Sequence, residues 1–416
     1  MTAGWQRGRA IGFEEHLAAF GPAPVPEKRR RHELIAAIER SGLLGRGGAG
    51  FPAAAKMHAV AAAHRGRRIM VANGAEGEPA SRKDQALMAR APHLVIDGAV
   101  LAATAVGADE VIVCVKRDAG AAVSAAALAI EERRSNDGVE VSVVEVPAAY
   151  LAGEESALVN YLNTGRAIPT FVPPRPFERG VEGRPTLIQN VETLAHLALI
   201  ARHGADWFRG LGAPDDPGST LVTVCGAVAA PGVYEVPSGV SLREFVEHAG
   251  GPSTPIRAFL VGGYAGSWLA PERALDQPLD RASRRARRGG LGAGVVVALP
   301  ATACGVCETA RVARFLAEES AGQCGPCIHG LDSIADALEE ISEGTAEPGT
   351  HLWIEKWAED VVGRGACGHP DGTVRFVASA VSTFRDEISQ HESGAECGGR
   401  SSRSWILPLP EYVGAP

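Results

Sequence analysis

The spacing of hydrophobic positions changes several times along the chain, and each change marks a boundary. Glu33 to Arg40 reads as a short helix entering a glycine-rich loop. From Arg68 onward, β-branched runs alternate with longer alanine-rich ones. Strands are predicted at Ile69 to Ala72, Glu110 to Val115 and Val139 to Val146, and helices at Leu87 to Val106 and Ala121 to Arg134. Strand and helix in alternation imply a mostly parallel sheet covered on both faces, and such sheets bind ligands at the carboxyl ends of their strands. Prolines between Pro169 and Pro185 close this region, and Asn190 to Arg202 then reads as a helix. Past Thr220 the pattern becomes two short strands, Leu221 to Gly226 and Gly232 to Val236, then a helix from Leu242 to Ala249 and a strand through Leu260. Glu308 to Glu343 is helical apart from an interruption at Gly322 to Pro326, and Val374 to Ser389 contains no breaker. The expected organisation is a lead-in over 1–30, extended by Pro22, Pro24 and Pro26, an α/β domain over 31–215, a small β domain over 216–285, a helical domain over 300–395 and a tail over 396–416.

Composition narrows the class. At 416 residues the chain exceeds what one small core can bury. A net charge of −8 argues against a nucleic-acid binder, whose surface must neutralise phosphates. No apolar run reaches the roughly 20 residues needed to span a bilayer. The best run, Leu94 to Ala108, is interrupted by Asp97 and reads as a buried helix, and the first residues lack the apolar stretch of a secretory signal. A cytoplasmic location is expected. Six of the eight cysteines lie in the last third, four of them in two Cys-x-x-Cys pairs, which in a reducing compartment favours metal or redox chemistry over disulfides.

Two early motifs carry the first chemical signal. In Gly45-Arg-Gly-Gly-Ala-Gly-Phe-Pro52 the glycines let the backbone turn its N–H groups toward phosphate oxygens, Arg46 and Lys56 add positive charge, and the helix after Pro52 would direct its N-terminus at an anion. Asn73-Gly-Ala-Glu-Gly-Glu-Pro79 follows one short strand later. Further along stand Ala149-Tyr-Leu-Ala-Gly-Glu-Glu-Ser-Ala-Leu158, Gly183-Arg-Pro-Thr-Leu-Ile-Gln-Asn-Val-Glu-Thr193 and Ser320-Ala-Gly-Gln-Cys-Gly-Pro-Cys327, with Cys367 behind them.

These five motifs, in this order over roughly residues 30 to 390, resemble the NADH-binding flavoprotein subunit of respiratory NADH:quinone oxidoreductase, also found in NAD-linked hydrogenases and formate dehydrogenases. The resemblance implies a Rossmann-like FMN-binding domain, a ubiquitin-like β-grasp module and a C-terminal helical bundle with an iron–sulfur site. It implies an enzyme that oxidises NADH or NADPH by hydride transfer to FMN and passes single electrons through the cluster to a ferredoxin-like or other iron–sulfur subunit, with any membrane association made through partners. By motif match, Gly45, Arg46, Gly47, Gly48, Gly50 and Lys56 would contact the flavin. Asn73, Glu76 and Glu78 would line the shared flavin and nucleotide cleft, and Tyr150, Gly153, Glu154 and Glu155 its second wall. Asn190 and Thr193 would hold phosphate or ribityl groups, and Phe51 would stack on the nucleotide. Read alone, Phe51 fits a core and Glu154 and Glu155 fit a helix start. No general acid or base is assigned, because hydride transfer between stacked rings depends on positioning.

The sequence also departs from the family. Four cysteines hold the family's four-iron cluster; here Cys324, Cys327 and Cys367 match three, and Ala321 stands at the fourth. A four-iron cluster with another ligand, a three-iron cluster, or none all remain open, with His329 and His369 the nearest imidazoles. Cys307 cannot substitute, since a continuous helix would hold it roughly 20 Å away. Cys304 and Cys307 read as a redox pair, half of another metal site, or two buried thiols; Cys114 and Cys225 read as core, and Cys397 has no role. Ala75 replaces a carboxylate and Ala59 an aromatic, which would weaken NADH binding or shift preference toward NADPH. Two other readings follow: a scaffold subunit that has lost nucleotide binding, and a reductase running from reduced ferredoxin to NAD. The basic run Arg281, Arg284, Arg285, Arg287 and Arg288 reads as a solvated loop or a docking patch for an acidic carrier.

Overall fold

The computed structural model describes the chain except residues 3–4, 6–7, 64–65, 134–136, 282–289, 402–404 and 411–416. The basic run beyond Arg281 therefore lies outside the described residues.

Four strands, β1 (Ile69–Gly74), β2 (Glu110–Lys116), β3 (Glu140–Val146) and β4 (Thr186–Asn190), form a parallel sheet in the order β3-β2-β1-β4. Their side chains obey the two-residue period. Met70 and Ala72 of β1 and Val111, Val113 and Val115 of β2 enter one core with the helices Pro92–Val106 and Val191–His203. Ile69, Val71, Ile112 and Cys114 point the other way, into a core closed by the helix Glu155–Thr164. Both faces are apolar because both are covered, as expected of parallel strands. At the carboxyl edge Asn73 of β1 lies beside Asn190 of β4 in register, and the cleft opens there.

The predicted Leu87 to Val106 helix is two, Lys83–Arg90 and Pro92–Val106, meeting at 96°. Pro92 has no N–H to continue the first helix but suits the first turn of the second. No single helix among the described residues is long and apolar enough to cross a membrane. Asp97 is tolerated inside the second helix because His16 and Arg133 each approach it to 2.7 Å and Arg202 joins them. His16 comes from a helix, Phe13–Phe20, within the lead-in expected to be extended.

After the short ribbon β5 (Gly212–Ala213) and β6 (Asp216–Pro217) comes a five-stranded sheet of β7 (Ser219–Gly226), β8 (Gly232–Pro237), β9 (Ile256–Val261), β10 (Ser267–Leu269) and β11 (Val295–Pro300), ordered β10-β9-β11-β7-β8. One face carries Val222, Val224, Phe259 and Val296 against the helix Leu242–His248, and the other presents Leu260, Val297 and Leu299 to the C-terminal helices. Those helices are Gly305–Glu318, Leu331–Glu343, Thr350–Val361, His369–Thr383 and Arg385–Glu392. The uninterrupted helix expected over Val374 to Ser389 instead breaks at Phe384, whose backbone (φ −109°, ψ 28°) leaves the helical region while its ring packs edge-on against Trp268, 5.2 Å between centroids.

Candidate functional site

The cleft at the carboxyl edge of the first sheet has a volume of about 660 Å³, within the roughly 300–1,000 Å³ of small-molecule and cofactor sites. Gly45, Gly47, Gly50 and Phe51 of the glycine loop line it, with Lys56 from the first turn of the helix Ala53–Ala61. Asn73, Asn190, Gly153, Glu154 and Glu155 complete the predicted wall. Phe51 is half exposed, so the core reading does not hold for it. Lys56 pairs with Glu155, and burial pulls its ammonium down to about 8.

Two loops meet at this wall with no room for a side chain. A Cβ on Gly153 would lie 2.2 Å from the Ala75 carbonyl oxygen, and one on Gly77 would lie 2.1 Å from that of Tyr150. Backbone therefore packs on backbone, and the Asn73 amide fastens the contact by donating to the Gly153 carbonyl (2.9 Å).

Six of the predicted residues do not line the cleft. The Arg46 side chain is wholly buried behind the loop, paired with Asp216 at 2.6 Å and donating to the Pro217 carbonyl at 2.9 Å. It does not supply the expected charge at the cofactor; it ties the loop to the β5–β6 ribbon. Thr193 Oγ1 accepts the Arg46 amide (2.8 Å), and Gly48, at φ 106°, shapes the loop's turn. Glu76 faces inward, accepting from the Ser81 hydroxyl and from the amides of Asp84 and Gln85. Glu78 is buried against the second sheet, where it accepts the Tyr264 amide (2.8 Å), and desolvation raises its carboxyl to about 7. Both carboxylates expected in the cleft instead hold backbone, because the Glu-Gly-Glu-Pro turn passes between the first sheet and the second. Tyr150 stands behind the second wall.

Asn190 and Glu154 both cap helices at the edge of the cleft. The Asn190 side chain accepts the Glu192 amide as a helix cap and donates to Asp84 (2.6 Å). Glu154 caps the helix Glu155–Thr164 by accepting the amides of Ser156 and Ala157, both at 2.9 Å. The helix-start reading thus holds for both, Glu154 as the cap and Glu155 in the first turn, and Glu155 also reaches across to Lys56. Arg175 and Phe177 also line the cleft, although sequence reasoning passed over them. They lie in the proline-rich stretch, where no periodicity signals direction, and only the charge of Arg175 offered a clue.

Behind the second wall lie the predicted cysteines. Tyr150 presents its ring edge to Phe315 (5.9 Å) and His369 (5.5 Å), and its amide donates to Glu319 (2.7 Å), two residues before Ala321. Cys324 precedes a π-helical turn, Pro326–Gly330, which carries Cys327, and Cys367 precedes the helix His369–Thr383. Desolvation raises the Cys324 thiol, but the nearby Ala366 amide and the Cys327 amide and thiol bring it below the ordinary range; burial pushes Cys327 up. Glu154 is near enough to raise the Cys367 thiol, after the larger effect of desolvation. His369 spends its Nε2 on the Leu316 carbonyl (2.7 Å), a structural role.

Comparison with known proteins places these features in one family. Residues 38–199 match the Nuo51 FMN-binding domain, 221–262 the SLBB domain, and 304–391 the NADH-ubiquinone oxidoreductase-F iron-sulfur binding region. The chain is 35% identical over 379 residues to the second F-type subunit of NADH-quinone oxidoreductase from Rhizobium meliloti (strain 1021), covering 88% of this chain and 90% of that protein. It is 29% identical to the HndC subunit of the NADP-reducing hydrogenase from Solidesulfovibrio fructosivorans, over 88% and 77% of the two chains. Among solved structures, NAD+-reducing [NiFe]-hydrogenase in the H2-reduced state aligns with a TM-score of 0.82 at 32% identity, over 92% of this chain and 67% of that one.

Proposed function

The chain belongs to the family of F-type NADH-quinone oxidoreductase subunits, and from that premise we infer how its own residues serve the reaction. It is an oxidoreductase that oxidises NADH with FMN and sends the electrons out through an iron–sulfur centre. FMN, when bound, takes a hydride as an electron pair and releases the electrons singly, which nicotinamide cannot do. The cleft fits such a group by size, by the glycine backbone on one wall, and by a desolvated cation on a helix's first turn. In this reading Gly45, Gly47 and Gly50 admit the phosphate, Lys56 neutralises it, and Asn73 and Asn190 hold the polyol. Gly153 and Glu155 form the opposite wall, Phe51 offers a face to the nucleotide at the mouth, and Arg175 adds charge on the outer side. Arg46, Gly48, Glu76, Glu78 and Thr193 act by holding the loops that do this.

Cys324, Cys327 and Cys367 are the proposed cluster ligands, with the fourth iron position open at Ala321. The observation that carries the proposal is the packing of Tyr150, just behind the wall of Gly153, Glu154 and Glu155, on Phe315, Glu319 and His369, the residues that lead into the cysteine segments, with Glu154 near enough to act on the Cys367 thiol. The second sheet, read as a β-grasp module, and the helices, read as a cluster-bearing bundle, then act as a frame around that contact. The 31–215, 216–285 and 300–395 division follows the same reading. The partner is an iron–sulfur subunit of a larger complex.

The test is an anaerobic absorption spectrum before and after NADH, with iron and sulfide analysis. Flavin bands that bleach, with iron lost in Cys324→Ser, support the reading. Bound flavin that ignores both NADH and NADPH points to the scaffold alternative, and absence of flavin after loading with FMN overturns the proposal.

A further inference from the structure

Outside that site, four side chains from three segments converge. Cys304 caps the helix Gly305–Glu318 and Cys307 sits in its first turn. His391 is in the last turn of Arg385–Glu392, and Cys397 follows in the tail. Three of the four are buried, and their ligand atoms all lie within 4.8 Å of one another.

The spacing identifies what would bind. A zinc ion about 2.3 Å from sulfur and about 2.0 Å from nitrogen sets tetrahedral edges of roughly 3.8 Å between sulfurs and roughly 3.5 Å between sulfur and nitrogen. Cys307 Sγ lies 3.8 Å from Cys397 Sγ, and Cys304 Sγ lies 3.3 Å from His391 Nε2. A four-iron cube needs its thiolates spread around a much larger core. The surroundings agree. His391 Nδ1 sits 3.1 Å from the Ile341 carbonyl, which can only accept, so Nδ1 carries the proton and the Nε2 lone pair faces the cysteines. The Cys307 amide donates to Cys304 Sγ (3.5 Å). Glu387, 3.7 Å from the same sulfur, is occupied by Arg257 and the Gly305 amide. The tail can approach only through glycine, since a Cβ on Gly399 would fall 2.5 Å from the Cys304 Cβ.

We propose that Cys304, Cys307, His391 and Cys397 bind one Zn²⁺ as a closed Cys₃His site. Four protein ligands leave no open position for catalysis, and the helix Gly305–Glu318 separates the site from the Cys324 loop by roughly 20 Å. Its work is mechanical. Beyond Cys397 the chain runs to Ile406 and Leu407, whose amides donate to buried Glu308, and to Pro408, whose carbonyl accepts the Tyr264 hydroxyl. The ion would pin the start of this strap, releasing thiol protons as it binds.

Zinc and iron are measured on full-length protein purified anaerobically. The expected result is one zinc per chain, lost in Cys397→Ser and Cys307→Ser while flavin and iron stay at wild-type levels, retained in Cys324→Ser, and retained in His391→Cys, which keeps four soft donors. Cobalt substitution should give the absorption of a tetrahedral thiolate site. Zinc that is substoichiometric in the wild type, or unchanged by Cys397→Ser, overturns the proposal, as does iron rather than zinc lost with Cys397. Should a serine variant fail to fold, wild-type protein decides: a thiol-modifying mercurial must release one zinc per chain, and release of none refutes the site.

Discussion

Gly153→Ala isolates the role of the backbone contact between the two cleft loops. Gly153 has an ordinary φ, so alanine there carries no conformational penalty and the effect is steric alone. The new Cβ would start 2.2 Å from the Ala75 carbonyl oxygen, a rigid backbone atom, and reaching normal contact moves the loops apart by roughly 1 Å. Overpacking of this kind costs about 1–3 kcal/mol. The displacement also stretches the 2.9 Å bond from Asn73 to the Gly153 carbonyl and draws Glu155 from Lys56. If the strain falls on the cleft, FMN affinity drops by roughly 5- to 150-fold. The assay is FMN titration of flavin-stripped protein, followed by fluorescence quenching, alongside urea unfolding. Gly120→Ala, where nothing lies within 4 Å of the new methyl group, serves as the control and should leave flavin affinity unchanged, with stability equal or raised by up to about 1 kcal/mol because the residue opens a helix. Unaltered flavin affinity in Gly153→Ala, or an equal loss in Gly120→Ala, would refute the reasoning.

Asp216→Ala leaves the buried Arg46 guanidinium without its carboxylate and should cost about 3–5 kcal/mol in urea unfolding. Lys56 is charged below about 8 and neutral above, so FMN affinity should fall as pH rises through that value, and Lys56→Arg should flatten the profile. Because the folded state raises the Glu78 carboxyl to about 7, its stabilising contribution is full below the unfolded value near 4.5 and disappears as pH rises through 7. Glu78→Gln should remove that share of the decline between pH 5 and 7.5, read by urea midpoints, and leave the share due to Asp84, which burial also raises to about 7.

The local order of the chain was legible in its residues. β-branched runs and alanine-rich helices announced the parallel sheet, and the motif order announced the family, because period, glycine and thiol spacing are local quantities. Ten of the sixteen predicted cofactor residues line one cleft. What the sequence could not decide was direction and distant company. Arg46 turns away from the cleft because Asp216, 170 positions on, offers it a buried partner. Glu78 leaves because the Tyr264 amide, in the turn between β9 and β10, needs an acceptor. Cys397 meets Cys304, Cys307 and His391 only once the tail folds back. Which way a side chain points depends on the partner that best repays its desolvation, and that partner exists only after distant segments pack together.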